Sequence, residues 1–437
     1  MGFSFFSTQA SPIAVNFGAS SVKLLQVSAP SASTKTAVRA AAELPIPDEI
    51  RNDGQAMLEY TGEQLPSLLR EGGFKGRKVV CTVPTQQTIC LHMQIAPVAA
   101  GGQGLGGLSG ITNWGGGSAR ANQRDELVKA QLQMQMGIAP SSIVVRTVEV
   151  AEVQREGQAR TEVICFAMPR ELIMRHVEML ERCKMEIVGV HTEAMAMVRA
   201  FDHIHQRSDD HKITTMYIDL GWSGTCVALS HGRQMVFARS INVGGRHFDE
   251  LIASHLKTNL SGARAHRLSL EDPLGERAAH MPGTAPPMVN TVAGDMSEDG
   301  GAAVMTDRRT NAAPAALQHA ITPGDAPSSA ANVDFTELLD TMTDELAMCL
   351  RYHRALFPSR AVDRVVLLGG EARQQWLCRH LARGLRLPVR LGDPLARLVN
   401  DDPDSLSLFT PGLALHEPQP GWAVPWGLCA AAAAPEN

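Results

Sequence analysis

Two short stretches of the chain carry the residue types that grip phosphate. The first reads Ile13-Ala14-Val15-Asn16-Phe17-Gly18-Ala19-Ser20-Ser21-Val22-Lys23-Leu24-Leu25-Gln26-Val27. The second reads Met216-Tyr217-Ile218-Asp219-Leu220-Gly221-Trp222-Ser223-Gly224-Thr225-Cys226-Val227-Ala228-Leu229. Each is an apolar run, a tight Gly/Ser turn and a second apolar run, the pattern of a β-hairpin. Glycine lets a turn backbone approach a ligand, and its neighbours present N–H groups. Gly18, Ala19, Gly221 and Gly224 offer such backbone, and Ser20, Ser21, Ser223 and Thr225 add hydroxyls. Asp219, at a strand end, suits a divalent cation's waters or caps local N–H groups. Lys23 either reaches a phosphate or points outward from its strand, because alternation fits both. Trp222 either covers a ligand or packs at a domain interface. A third segment, Val365-Val366-Leu367-Leu368-Gly369-Gly370-Glu371, is a strand running into Gly-Gly and then a helical pattern. Bare backbone at such a helix start accepts a flat base or a ribose.

These motifs need two similar half-domains facing each other across one phosphate chain. Helical spacing predicts Gly54–Glu71, Arg124–Met136, Arg170–Lys184, Thr192–His205, Asp334–Phe357 and Ala372–Leu385 as helices. Val79–Val83, Thr88–Met93, Ile143–Val153, Thr161–Ala167, Glu186–His191 and Gln234–Ile241 read as strands. Residues 78–191 read as a compact β-rich inserted subdomain. The Gly-rich stretch Ala96–Arg120 reads as a flexible loop inside it. Leu270–Asn332 lacks periodicity and reads as disordered.

Composition narrows the function classes. The 437 residues are enough for more than one domain, and 44% are hydrophobic, so a full core is available. A net charge of −5 and a pI near 6.3 leave no basic field for nucleic acid. The 8 cysteines form no Cys-x-x-Cys pair. Cys81, Cys90, Cys165 and Cys226 sit in apolar runs, which points to reduced thiols in a cytoplasmic protein. Trp422–Ala434 is apolar but short and interrupted by Pro425, so it is not expected to cross a membrane. The start Met1–Phe6 lacks a basic flank and reads as a poor signal peptide, and Phe3, Phe5 and Phe6 read as a frayed terminus or strand start rather than a membrane or partner contact. His203, His205 and His211 with Asp209 and Asp210 read as a solvated linker rather than a metal site. No Ser/His/Asp or Cys/His order supports nucleophilic catalysis.

The order hairpin, hairpin, strand-Gly-Gly-helix is that of the phosphate-1, phosphate-2 and adenosine motifs of actin-like ATPase domains. More specifically, the chain resembles the PilM family, actin-like proteins of type IV pilus assembly that are themselves similar to FtsA. The resemblance rests on Phe17-Gly18-Ala19-Ser20-Ser21-Val22-Lys23-Leu24, Lys78-Val79-Val80-Cys81-Thr82-Val83-Pro84 and Ala167-Met168-Pro169-Arg170-Glu171. It continues through Asp219-Leu220-Gly221, Ala238-Arg239-Ser240-Ile241-Asn242-Val243-Gly244-Gly245, Leu368-Gly369-Gly370 and Trp422-Ala423-Val424-Pro425-Trp426-Gly427-Leu428.

The resemblance implies an α/β actin-like ATPase fold: two ribonuclease-H-like lobes with an inserted 1C subdomain of the SHS2 type. Residues 1–77 and 192–212 would form subdomain 1A and residues 78–191 subdomain 1C. Residues 213–247 and 358–437 would form 2A, and residues 248–357 would form 2B. It further implies ATP and Mg²⁺ between the lobes. The contacts expected are Gly18, Ala19, Ser20, Ser21, Lys23, Asp219, Gly221, Trp222, Ser223, Gly224, Thr225, Gly369, Gly370 and Glu371, with Asp219 serving the metal. It implies a docked cytoplasmic peptide of an inner-membrane PilN-like protein in a groove between 1A and 1C. The protein would be a cytoplasmic scaffold, peripheral at the inner membrane, that binds ATP with weak or absent hydrolysis and has scope for self-association.

Two departures stand out. Asn16 occupies the place of the family's first-turn carboxylate. The family's Ala-Glu-x-x-Lys near base and ribose finds its nearest match in Ala265-His266-Arg267-Leu268-Ser269, which lacks both charged residues. Two other readings share the superfold. A small-molecule kinase needs a general-base carboxylate near an acceptor hydroxyl, and none is evident. A membrane-bound filament former of the FtsA type carries an amphipathic C-terminal anchor, and Cys429–Asn437 has no such face.

Overall fold

The structure, a computed structural model, describes residues 11–28, 36–98, 119–270, 290–292, 333–396, 398–400, 413 and 417–433. The first lobe opens with a meander of β1 (Ile13–Phe17), β2 (Ser21–Val27) and β3 (Ala37–Pro45). Helix α1 (Gly54–Glu71) follows, its first turn capped by the Asp53 carboxylate, which accepts from the N–H groups of Gln55 and Ala56. Strand β4 (Lys78–Val83) then pairs parallel to β1.

An insert leaves the lobe after β4. It holds β5 (Ile89–Ile95), α2 (Ala119–Met136), β6 (Ile143–Arg155) and β7 (Gln158–Pro169), with the three strands in the order β5-β7-β6. The chain returns through α3 (Arg170–Arg182) to β8 (Glu186–Thr192) and α4 (Glu193–Arg199). The first sheet therefore runs β3-β2-β1-β4-β8.

The second lobe repeats this plan. Strands β9 (Thr214–Leu220), β10 (Thr225–His231) and β11 (Gln234–Ile241) form the meander. Helices α5 (Gly245–Leu256) and α6 (Leu260–Ser269) follow, then the short β12 (Asn290–Val292) and α7 (Thr336–Leu356). Strand β13 (Arg364–Leu368), α8 (Gln375–Leu385) and β14 (Val389–Gly392) complete the sheet, ordered β11-β10-β9-β13-β14-β12. Apart from β12, its strand order copies that of the first. Strand β15 (Val399–Asn400) crosses back to pair with β3, and α9 (Ala423–Ala433) packs on the first sheet.

Several expected boundaries shift. Strands β4 and β8 belong to the first sheet, and Met179, Leu180 and Met185 share a core with Ile13, Val15 and Leu65. The insert is thus narrower than residues 78–191, because strand pairing is decided by distant partners. Likewise α7 buries Leu339, Met342, Leu346 and Cys349 in the core of the second lobe. That leaves α5 and α6 as the helices outside the repeated plan in the expected 2B region. Segment 423–433 sits with the first lobe, not the second. Pro425 does not interrupt it, because proline in a first helical turn gives up only an N–H that has no intrahelical partner.

The expected helix over Thr192–His205 stops at Arg199 and gives way to a 3-10 turn. Helix α2 begins at Ala119 rather than Arg124. Residues 99–118 of the Gly-rich stretch lie outside the described residues, as do Phe3, Phe5 and Phe6. So does Leu270–Asn332, except for Leu270 and β12. In those three strand residues the expectation of disorder is corrected, since Asn290–Val292 pairs in parallel with β14. All 8 cysteines are free. Among the described residues, no helix is long and apolar enough to cross a membrane.

One core runs through both lobes by way of α4 and α9. Ala194, Met197 and Phe201 join Ala14 and Leu25 of the first sheet to Met216 and Val227 of the second. The two helices cross at closest range where Gly427 faces the Ala196 backbone, and a Cβ on Gly427 would sit inside the carbonyl oxygen of Ala196. Trp426 Nε1 donates to the Ala200 carbonyl at 3.0 Å and pins the crossing. Gly427→Ala should therefore destabilise the protein by about 1–3 kcal/mol or more, the cost of overpacking a tight contact. Urea unfolding measures it, and an unchanged midpoint would show that the helices do not meet there.

Candidate functional site

The β1–β2 turn presents Gly18, Ala19 and Ser20 half-buried at the end of the first sheet. Behind it, three side chains satisfy one another. Ser21 Oγ donates to Glu43 at 2.6 Å, while Lys23 Nζ donates to Ser21 Oγ at 2.9 Å and pairs with Glu43 at 3.2 Å. Desolvation pushes the Glu43 carboxyl up, yet Lys23 and Ser21 together hold it below the usual range. Ser21 and Lys23, both expected on phosphate, are thus tied to a carboxylate on β3. Asn16 faces Lys23 across the hairpin, and its Oδ1 accepts from Thr82 Oγ1 at 2.8 Å.

The β9–β10 turn is held from above by the start of α5. Gly245 N–H donates to the Gly221 carbonyl at 3.1 Å and Arg246 N–H to the Trp222 carbonyl at 2.7 Å. A side chain on Gly244 would collide with Gly224 N and the Gly221 and Trp222 carbonyl oxygens, so only glycine lets α5 begin here. Gly221 and Ser223 stay half-buried, whereas Gly224 is buried. Thr225 is fully buried and its hydroxyl donates to the Val243 carbonyl at 2.7 Å, so it braces the turn instead of facing the cleft.

Two carboxylates meet on the floor between the turns. Asp219 stands at the end of β9 and Glu193 opens α4. Glu193 Oε2 accepts from the Thr85 N–H at 2.8 Å and from the Thr85 hydroxyl. Both acids are half-buried by exposed area but densely walled by protein. Desolvation raises Asp219 to about 6, opposed by the Lys23 charge. Desolvation likewise raises Glu193 to about 7, with the Asp219 charge adding and the Thr85 bond opposing. Lys23 of the first lobe and Asp219 of the second therefore feel each other's charge across the gap. Glu193 was missed in the sequence, where a Thr-Glu pair at a helix start reads as an ordinary cap with a first-turn acid.

On the base side, Gly369 has φ of 90° and leads into Gly370, which is exposed with open space above its Cα. Glu371 turns inward. It pairs with Arg267 through Nη1, and Nη2 reaches Glu371 Oε1 at 3.3 Å. The same guanidinium donates from Nε to Asp249 Oδ1 at 2.6 Å, and Trp222 Nε1 donates to Asp249 Oδ2 at 2.8 Å. Arg267 is 1% exposed. Glu371 and Trp222, expected to touch a ligand, are both engaged in this network. The buried residues of α6 are Ala263 and Arg267, so within the stretch Ala265–Ser269 it is Arg267 that turns into this network.

Away from the cleft, the insert and the start of α3 enclose a groove of about 650 Å³. Ile89, Ile138 and Ile143 of the insert face Met174 of α3 across it, with Arg170 and Glu171 on the rim. Arg170 Nε donates to the Ser141 carbonyl at 3.1 Å and ties the two sides. Among the described residues no cluster of three or more His, Cys, Asp or Glu could hold a metal. The segment 203–211 is not wholly solvated, since His205 is 4% exposed and lies 3.5 Å from the Tyr217 hydroxyl.

No family model matches the chain, and no curated protein matches it. Among solved structures, the PilM–PilN type IV pilus biogenesis complex is similar over 97% of this chain and 99% of that one, with a TM-score of 0.67 and 17% identity. The ethanolamine utilization protein EutJ from Carboxydothermus hydrogenoformans aligns over 97% and 89% with a TM-score of 0.43 and 10% identity. MreB5 of Spiroplasma citri bound to ADP aligns over 89% and 92% with a TM-score of 0.40 and 12% identity. The latter two likenesses are too loose to bear on the site. The repeated lobes, the facing turns and the likeness at TM-score 0.67 together give this chain the α/β actin-like ATPase fold, in the form found in PilM.

Proposed function

We propose that the chain is a nucleotide-binding scaffold of a type IV pilus or related secretion machine. ATP lies between the turns at Gly18–Ser21 and Gly221–Gly224, with its base or ribose along Gly370. The observation that carries this reading is the meeting of Asp219 and Glu193 on one cleft floor between two glycine turns, with the Lys23 charge reaching Asp219 from the first lobe. The residues fit the ligand. Two desolvated carboxylates that raise each other's cost of ionisation favour a divalent cation, and the open backbone at Gly370 accepts a flat group. Mg²⁺ would offset phosphate charge; Asp219 and Glu193 would hold its waters, while Asn16 brings no charge. Trp222, Thr225 and Glu371 support the turns from behind.

A partner docks in the groove between α3 and the insert. Its apolar walls and charged rim suit an extended peptide with alternating apolar and polar side chains, such as the cytoplasmic tail of an inner-membrane PilN-like protein. The protein would then sit in the cytoplasm and reach the membrane through that tail. ATP biases the angle between the lobes only to the extent that it binds one arrangement better.

Three outcomes follow. Asp219→Asn should remove the Mg²⁺-dependent part of ATP-induced thermal stabilisation. The same change should stabilise the protein without ligand at pH 7.5. The native carboxyl, raised to about 6, binds protons more tightly than in the unfolded chain, so its ionisation costs stability as pH rises through that range. The advantage of the variant over the native sequence should shrink as pH falls through about 6 toward 4, and a difference constant with pH would contradict the assignment. In the groove, Met174→Asp should weaken binding of a PilN-like peptide about tenfold or more, the loss of about 1.4 kcal/mol. Met174 is 43% exposed, so the melting temperature should hardly move. Unchanged affinity by calorimetry would place the peptide elsewhere.

A further inference from the structure

A run of side chains crosses the mouth of the cleft on the side of α5 and α6. It begins in the first lobe, in segment 46–52 after β3. Arg51 is anchored there, donating from Nε to the Ile46 carbonyl at 2.8 Å and pairing with Asp48. Its guanidinium lies over the Trp222 ring, 5.3 Å from the centroid. Two more bonds cross beside it. Arg264 of α6 reaches Asp48 at 3.3 Å, and Arg246 of α5 reaches Asn52 at 3.1 Å. Behind Trp222 the run continues through Asp249 and Arg267 to Glu371, next to Gly370.

Its position matters. Trp222 is part of the β9–β10 turn, so the contact from the first lobe bears on the phosphate turn itself. Its far end abuts the backbone proposed for the base. Arg51 is 8% exposed and Trp222 5%, so parting the lobes would wet both. A planar, weakly hydrated guanidinium favours the face of an indole, and a lysine does not reproduce the stack.

We propose that segment 46–52 is a latch: through Arg51 on Trp222 and Asp48 on Arg264 it clamps the first lobe onto the phosphate turn of the second, and a nucleoside triphosphate enters only as it releases. The gating half rests on the nucleotide reading above; the latch itself does not.

The test uses the full chain labelled with 5-fluorotryptophan, with the Trp222 resonance assigned through Trp222→Phe. The solvent isotope shift of that resonance reports its wetting. In the native sequence it should be shielded, and in R51K/R264A it should become wetted. Asp48→Asn, which keeps shape and removes the ion pairs, should give a partial effect and serves if the double variant folds poorly. Association of a mant-labelled ATP, followed by stopped flow, should then speed up about tenfold in the double variant. A resonance equally shielded in the variants overturns the latch, and a wetted Trp222 with an unchanged association rate overturns the gating. If mant-ATP binds no version, the nucleotide reading and its gating clause fall together, and the fluorine shift alone decides the latch.

Discussion

One helix crossing sets the geometry on which the rest of the molecule depends. Helices α4 and α9 lie in the core shared by both lobes, and they approach closely enough that Gly427 has no room for a side chain beside Ala196. Their spacing fixes the distance between the sheets, and so the width of the gap between the two glycine turns. It also aims the start of α4 at that gap, which is how Glu193 comes to face Asp219. Neither residue is unusual by itself. The desolvation that raises both acids comes from the dense walls that the crossing imposes.

The cleft is built in two layers of polarity. Behind the first turn, Ser21, Lys23 and Glu43 satisfy one another, and behind the second, Trp222, Asp249, Arg267 and Glu371 do the same. Buried charge is tolerated there because each partner is hydrogen-bonded, whereas breaking one pair would strand the others. The surface left to a ligand is backbone at Gly18–Ser20, Gly221–Ser223 and Gly370, plus the acids on the floor. In this arrangement Ser21, Trp222 and Glu371 turn inward and stiffen the turns, which leaves the glycine backbone as the open surface.

What could be read from the sequence was local. The paired hairpins and the strand before Gly369 are spelled out by alternating apolar residues and turn glycines within a few positions. Helix α1 was legible to the residue from its spacing. Long-range pairing was not. Nothing near Lys78 says that its strand joins the first sheet rather than the insert, and nothing in Ala423–Ala433 says which lobe it packs on, whereas Glu186–His191 reads as a strand returning the chain to the first lobe and does pair with β4. Glu193 carried no signal beyond that of a helix start. Its importance comes from Asp219, which the chain brings near only after the second lobe has formed.

The central claim is that the facing turns hold one phosphate chain. A crystal structure with Mg²⁺ and a non-hydrolysable ATP analogue tests it most directly. The account predicts phosphate oxygens within hydrogen-bond reach of backbone N–H groups in both Gly18–Ser21 and Gly221–Gly224, a cation whose waters contact Asp219, and the base or ribose over Gly370. A nucleotide bound elsewhere, or touching only one of the two turns, would contradict it.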